Sequence, residues 1–195
     1  LVGNKLVHIY GVLNGTTNFI LTEIERTSKS FKEILLTAQK LGYAETNPKL
    51  DLNGDDVKSK ISILSALCFK TKIINKSFLT EGIEQIDLED VEYANKFKYK
   101  IKLLGISEII DNKIKQRVHP CLISRDSDLA KINGANNAIM VEGNPIGKIV
   151  YQGLGAGKGP TTSSIISDLN SVLKGNVILP FGFNHSDAKE FKMFD

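Results

Sequence analysis

The apolar residues of this chain change period once, at Tyr99, and that change limits the folds available to it. Before Tyr99 they recur mostly at three and four positions; after it they fall in alternating runs. Helices first and antiparallel strands later predict an α+β fold, a mixed β-sheet covered by helices.

The helical half opens on one strand, Leu6 to Leu13, with Val7, Ile9 and Leu13 on one face and Leu6, His8, Tyr10 and Val12 on the other. Asn14-Gly15-Thr16-Thr17 is a turn able to cap a helix from Asn18 to Arg26. Ser30-Phe31-Lys32-Glu33 has the form of a capping box and opens a helix to Lys40 that Gly42 ends. Thr46 to Asp51 reads as loop around Pro48. Asn53 reads as an N-cap for a helix running from Gly54 to Phe69. Glu81 to Asp90 reads as a short strand and turn, and Asp90 to Lys98 as helix. Strands are predicted over Tyr99 to Ile109, Lys113 to Leu122, Ala138 to Glu142 and Ile146 to Gln152, with Asp111-Asn112 and Gly143-Asn144 as hairpin turns. A glycine-rich segment, Gly153 to Gly159, leads to a last helix, Pro160 to Lys174, with Ile165, Ile166, Leu169 and Val172 inward.

Composition narrows the function classes. The net charge is +3 and the lysines are spread along the chain, which implies no nucleic-acid partner. No apolar run approaches the roughly 18–20 residues that cross a bilayer, so no membrane partner is expected. Cys68 and Cys121 lie far apart in apolar runs, as in a cytoplasmic chain with reduced thiols. The chain opens at Leu1, close to a strand and with no signal-peptide pattern, which is expected of a fragment.

The densest chemistry lies between Gly42 and Lys60. Val57, Ile61, Leu64 and Cys68 form one apolar stripe, and Lys60 falls on that side, four residues after Asp56. Two readings stand: an i,i+4 salt bridge with a snorkelling stem, or a lysine tuned by burial and carboxylates to donate and accept protons. Glu45 and Asp51 lie in the loop feeding this helix, as dipole partners or as acceptors for a ligand ammonium. The Asn14 to Thr17 turn is a simple cap or a carboxylate cradle. Gly153 to Gly159 matches neither phosphate-loop template; it is either a flexible connection or a stretch that lets backbone approach a ligand. His8, His119 and His185 show no metal-ligand spacing, and no metal site is expected.

Three of these segments resemble the homoserine dehydrogenase family. Gly11-Val12-Leu13-Asn14-Gly15-Thr16-Thr17-Asn18-Phe19-Ile20-Leu21 resembles that family's GILNGTTNYIL segment. Ala38 to Glu45 with Asp51 to Lys60 resembles its substrate-site signature, and Gly153 to Leu169 resembles its GxGAGxxPTASAVxxDL segment. The resemblance implies reversible NADP- or NAD-dependent interconversion of L-homoserine and L-aspartate 4-semialdehyde, on the route to threonine and methionine. It implies Lys60 as the acid/base; Glu45 and Asp56 at the substrate amino group; Asp51 as a further acidic residue; Gly15, Thr16 and Tyr43 lining the substrate pocket; and Gly155 and Gly157 near the cofactor. It also implies a homodimer. Residues 1–150 would be the substrate-binding, catalytic and dimerisation domain, and residues 151–195 would return to a nucleotide-binding domain that the chain does not contain. The isolated chain is accordingly expected not to turn over substrate. Another two-domain amino-acid oxidoreductase and a stand-alone amino-acid-binding or dimerisation module are the competing readings.

Overall fold

Strand β1 (Lys5–Val12) sits at the centre of the architecture and leads directly into α1 (Gly15–Thr27). The computed structural model describes residues 1, 3–73, 77–175, 188–189 and 191–193. α1 starts at Gly15, ahead of the predicted Asn18, because Asn14 is itself the cap and its side chain accepts from the Thr17 amide. α2 (Phe31–Lys40) carries the expected reciprocal cap between Ser30 and Glu33. A single helical turn, α3 (Lys49–Leu52), replaces the predicted loop. Pro48 has a near-helical φ of −84°, and its carbonyl accepts from the amides of Asp51 and Leu52.

α4 (Asp55–Phe69) is capped by Gly54 at φ +89° rather than by Asn53. Asn53 closes α3 instead, though its Oδ1 still accepts from the Asp55 amide at 3.0 Å. Residues 81–87 form no strand, and the next helix, α5 (Leu88–Lys96), begins ahead of Asp90 because Asp87 and Asp90 cap each other. That segment leaves a single bridge to β3, where the Glu81 amide donates to Val118, and then packs on α3: the Ile83 amide donates to Leu52, and a Cβ on Gly82 would lie 1.8 Å from the Leu52 carbonyl oxygen.

The alternating half forms four long strands, β2 (Tyr99–Ile110), β3 (Lys113–Ser124), β4 (Asn136–Asn144) and β5 (Gly147–Leu154), with a 3-10 turn at Asp128–Lys131. Asp111 and Asn112 both have positive φ, as a tight hairpin requires. The second hairpin turns at Pro145-Ile146, not at Gly143-Asn144. Gly143 stays paired with Gly147, where a Cβ would come within 2.8 Å of the Leu6 side chain. After α6 (Lys158–Leu173) comes β6 (Lys192–Met193), and the sheet order is β5-β4-β1-β2-β3-β6. Every pairing is antiparallel except the parallel β3–β6 contact, so the sheet is mixed, as predicted.

One sheet face meets the helices: Ile9, Leu103, Ile114 and Val118 pack with Ile20, Ile24, Ile34, Val57 and Ile61. Leu6 joins this face, contrary to the simple alternation, because the register shifts between Leu6 and His8. The other face gathers Val12, Leu104, Ile106 and Ala138, closed at one end by Leu129 and Ile132. α6 has no buried residue; Ile165, Ile166, Leu169 and Val172, predicted to point inward, are all exposed. The rest of that C-terminal expectation, residues 176–187 with His185, lies outside the described residues. Among the described residues no helix is long and apolar enough to cross a membrane.

Candidate active site

The end of β1 delivers Asn14 to the start of α4, 5% exposed. Its Oδ1 is used as the α1 cap, so its Nδ2 faces outward with two N–H donors. One goes to Asp51 Oδ1 at 2.7 Å and the other to Asp56 Oδ2 at 2.8 Å. Two carboxylates from α3 and α4 are thereby held beside one neutral amide, which offsets part of their mutual repulsion. Lys60, one turn after Asp56, donates to the same Asp56 Oδ2 at 2.7 Å and to the Leu13 carbonyl at 3.1 Å.

The lysine is not buried in the apolar stripe. Its side chain is 44% exposed, at the margin of Val57 and Ile61, because the stem lies along the helix and the ammonium reaches over it. A pair this exposed contributes at most about 1 kcal/mol, so its importance lies in where it holds the ammonium. Lys60 stands between two hollows. On one side Glu45, Asp51, Asp55 and Asp56 line an acidic pocket of about 310 Å³. On the other, Lys60 joins Leu13, Ile63, Leu64, Asn137, Ile139, Tyr151 and Gly155 around a mostly apolar cavity of about 400 Å³.

The remaining predicted residues spread around this centre. Thr16 Oγ1 donates to the Tyr43 carbonyl at 2.6 Å, which ties the α1 turn to the loop carrying Glu45. The Tyr43 ring packs on Phe19 with centroids 4.6 Å apart. At Gly15 the backbone passes so close to the β4 approach that a Cβ would lie 2.9 Å from the Ala135 carbonyl oxygen. Gly155 faces the apolar cavity, whereas Gly157, at φ +105°, caps α6. Among the described residues no group of His, Cys, Asp and Glu is arranged to hold a metal.

The Homoserine dehydrogenase family model matches residues 1–169. The chain belongs to the homoserine dehydrogenase family. It is 42% identical over 183 residues to homoserine dehydrogenase of Helicobacter pylori, covering 94% of this chain and 44% of that protein. A crystal structure of a homoserine dehydrogenase from Thiobacillus denitrificans superposes with a TM-score of 0.92 at 38% identity, over all of this chain and 46% of the other. A hyperthermophilic archaeal homoserine dehydrogenase mutant in complex with NADPH is similar at TM-score 0.73 and 26% identity, over 89% of this chain and half of that one. The chain thus spans less than half the length of the first two homoserine dehydrogenases.

Two residues of this candidate site escape a reading by spacing. Asn14 reads as a cap, and nothing local shows that its free amide end bridges two acids 37 and 42 positions away. Asn137 carries no sequence signal; its Nδ2 donates to Leu13 O at 3.2 Å, beside Lys60, and its buried Oδ1 has no hydrogen-bond partner among the described residues.

Proposed function

We propose that this chain is the substrate-binding and dimerisation part of an NADP- or NAD-dependent homoserine dehydrogenase. It would interconvert L-homoserine and L-aspartate 4-semialdehyde on the route to threonine and methionine. The observation that carries this reading is the Asn14 amide bridging Asp51 and Asp56 while Lys60 shares the Asp56 oxygen. Acids on one side of Lys60 suit a substrate ammonium, with Glu45 and Asp56 as its partners and Asp51 holding Asn14. The turn at Gly15 and Thr16, with Tyr43, lies alongside to take the rest of the amino acid.

In the reductive direction Lys60 donates a proton to the carbonyl oxygen, which avoids a free alkoxide; the oxidative direction reverses this transfer. Asp56, at 2.7 Å, and the Leu13 carbonyl hold Nζ in place. The apolar cavity fits a flat nicotinamide. Gly155 leaves bare backbone along its wall, and a Cβ there would fall 2.0 Å from Asn137 Nδ2. The cofactor, when bound, supplies or accepts the hydride. Gly155 and Gly157 are the chain's contribution to holding it.

Residues 151–195 fit a segment that docks on a nucleotide-binding unit, since α6 buries nothing here. The sheet face bearing Tyr10, Met140 and Val150 fits a second copy of the chain, because among the described residues no α-helix contributes to its apolar cluster. The two free cysteines, whose thiols burial pushes up (Cys121 to about 11), fit a reducing cytoplasm.

Titration calorimetry of the intact protein tests the site. L-Homoserine should bind, and Glu45→Gln and Asp56→Asn should each weaken it at least about tenfold, the loss of one charge-assisted hydrogen bond. Equal binding of unrelated amino acids, unaffected by either change, would instead mark a general amino-acid-binding module.

A further inference from the structure

Lys102, on β2, is 2% exposed. Strand alternation puts it on the same face as Leu104 and Ile106, beneath the segment Leu129–Ile132. Its Nζ donates to Asn18 Oδ1 at 2.7 Å and to the Ile132 carbonyl at 2.5 Å. Both acceptors are neutral. The carboxylate felt from α1, Glu25, is engaged by Lys100 at 3.3 Å and by Arg125 at 2.5 Å. Burial, with Lys100 adding to it and Glu25 opposing, pushes the Lys102 ammonium down to about 8. A methionine would fill the same space without the desolvation cost. The two bonds this lysine makes are what such a side chain would lose.

Those bonds lead to the proposed site. Asn18 Nδ2 donates to Ile132 O at 3.1 Å and to Asn136 O at 3.0 Å, and the Gly134 amide donates to Thr22 Oγ1 at 3.2 Å. Residues 132–137 are therefore fastened to α1 at several points, with Lys102 closing the buried end. The same short segment places Ala135 against Gly15 and Asn137 Nδ2 on the Leu13 carbonyl. That carbonyl also accepts the Lys60 ammonium.

We infer that Lys102 is a positioning residue for the proposed reaction: through Asn18 and residues 132–137 it fixes the Leu13 carbonyl, and with it Lys60. The inference rests on Lys60 being the acid/base. A neutral lysine keeps two N–H donors, enough for both acceptors, so the clamp holds on either side of its titration. The charged and titratable groups around it are Glu25 on α1, Lys100 on β2, Cys121 opposite on β3, and Arg125.

The test compares Lys102→Met, Asn137→Ala and the double variant in the intact protein. Each single change should lower kcat on the order of tenfold while KM for L-homoserine holds within about twofold, as a misplaced acid/base requires. The double variant should be no worse than the poorer single one, because both act through one carbonyl. In Lys102→Met the NMR resonances of the Lys60 ε-methylene should also move from their wild-type positions, as a displaced ammonium requires. Multiplied losses in the double variant, or an unchanged kcat and unchanged Lys60 resonances in Lys102→Met, would overturn the inference. If Lys102→Met does not fold, Asn18→Ala cuts the same clamp from α1 and is read the same way. A wild type that neither binds nor oxidises L-homoserine sinks the dehydrogenase reading alone, and the Lys60 resonances then still decide the clamp.

Discussion

α4 and α6 make an instructive pair. Each is long, each carries apolar residues at helical spacing, and each begins at a glycine of positive φ that gives no side-chain cap. α4 buries Val57, Ile61 and Phe69 against the sheet, while α6 buries nothing. Apolar periodicity shows that a helix has a face needing cover; it does not show what covers it. In α4 the cover is β1, β2 and β3 of the same chain. In α6 nothing among the described residues supplies it, and Leu169 stays 52% exposed.

The largest effect should come from the side of α4 that carries the proposed acid/base. Lys60→Ala should cut kcat of the intact protein about 10²- to 10⁴-fold, the usual contribution of a positioned acid/base, with folding unchanged in circular dichroism. Next comes the buried side, measured by urea unfolding of this chain. Ile61→Ala should cost about 2–5 kcal/mol as a large-to-small core change, and Leu169→Ala less than about 0.5 kcal/mol as a surface change. Equal costs would show that α6 is covered in solution.

Lys102 gives a pH-dependent contrast to these pH-independent terms. Its folded pKa, about 8, lies below the ordinary 10.5, so the unfolded chain binds the extra proton between those values. Stability should therefore rise as pH goes from 8 to 10.5, by about 3 kcal/mol from this group. Unfolding curves across that window should show the rise in the wild type, and Lys102→Met should remove that contribution. The smallest contrast lies in the two capping glycines. Gly54→Ala places a Cβ 3.2 Å from Val118 at φ +89° and should cost about 1–3 kcal/mol of global stability. Gly157→Ala meets no neighbour. Its strain falls on a helix outside the core and should leave the urea midpoint within about 0.5 kcal/mol of wild type.

Local chemistry was readable from the residues: the Ser30–Glu33 box, the Asp56–Lys60 pair and the Asp111-Asn112 turn all rest on spacings of four or fewer. The α+β order followed from periodicity for the same reason. The expectation of a short strand and turn over Glu81 to Asp90 fails because a short acidic run serves equally as turn or cap, and only packing of residues 81–83 on α3 decides it. The assembly of the site is long-range. Asn14, Asp51, Asp56 and Asn137 meet because β1 ends where α4 begins, a fact of sheet order that no window of sequence contains. Lys102 did leave a trace: it stands on the row of Leu104 and Ile106, where alternation calls for an apolar residue.

The Leu13 carbonyl accepts from both Lys60 and Asn137, which occupies both of its lone pairs. Both hydrogens of the Asn14 amide are likewise spent on the two aspartates. Counted by valence, the Leu13 carbonyl and the Asn14 amide are both saturated. The acceptor capacity left over sits mostly on carboxylates: Asp51 Oδ2, Asp56 Oδ1 and the Glu45 side chain, like the buried Asn137 Oδ1, accept no hydrogen bond from the described residues. An arriving molecule therefore meets a surplus of negative acceptors against the one N–H that Lys60 keeps, and the group best matched to the acids brings several N–H bonds and a positive charge together.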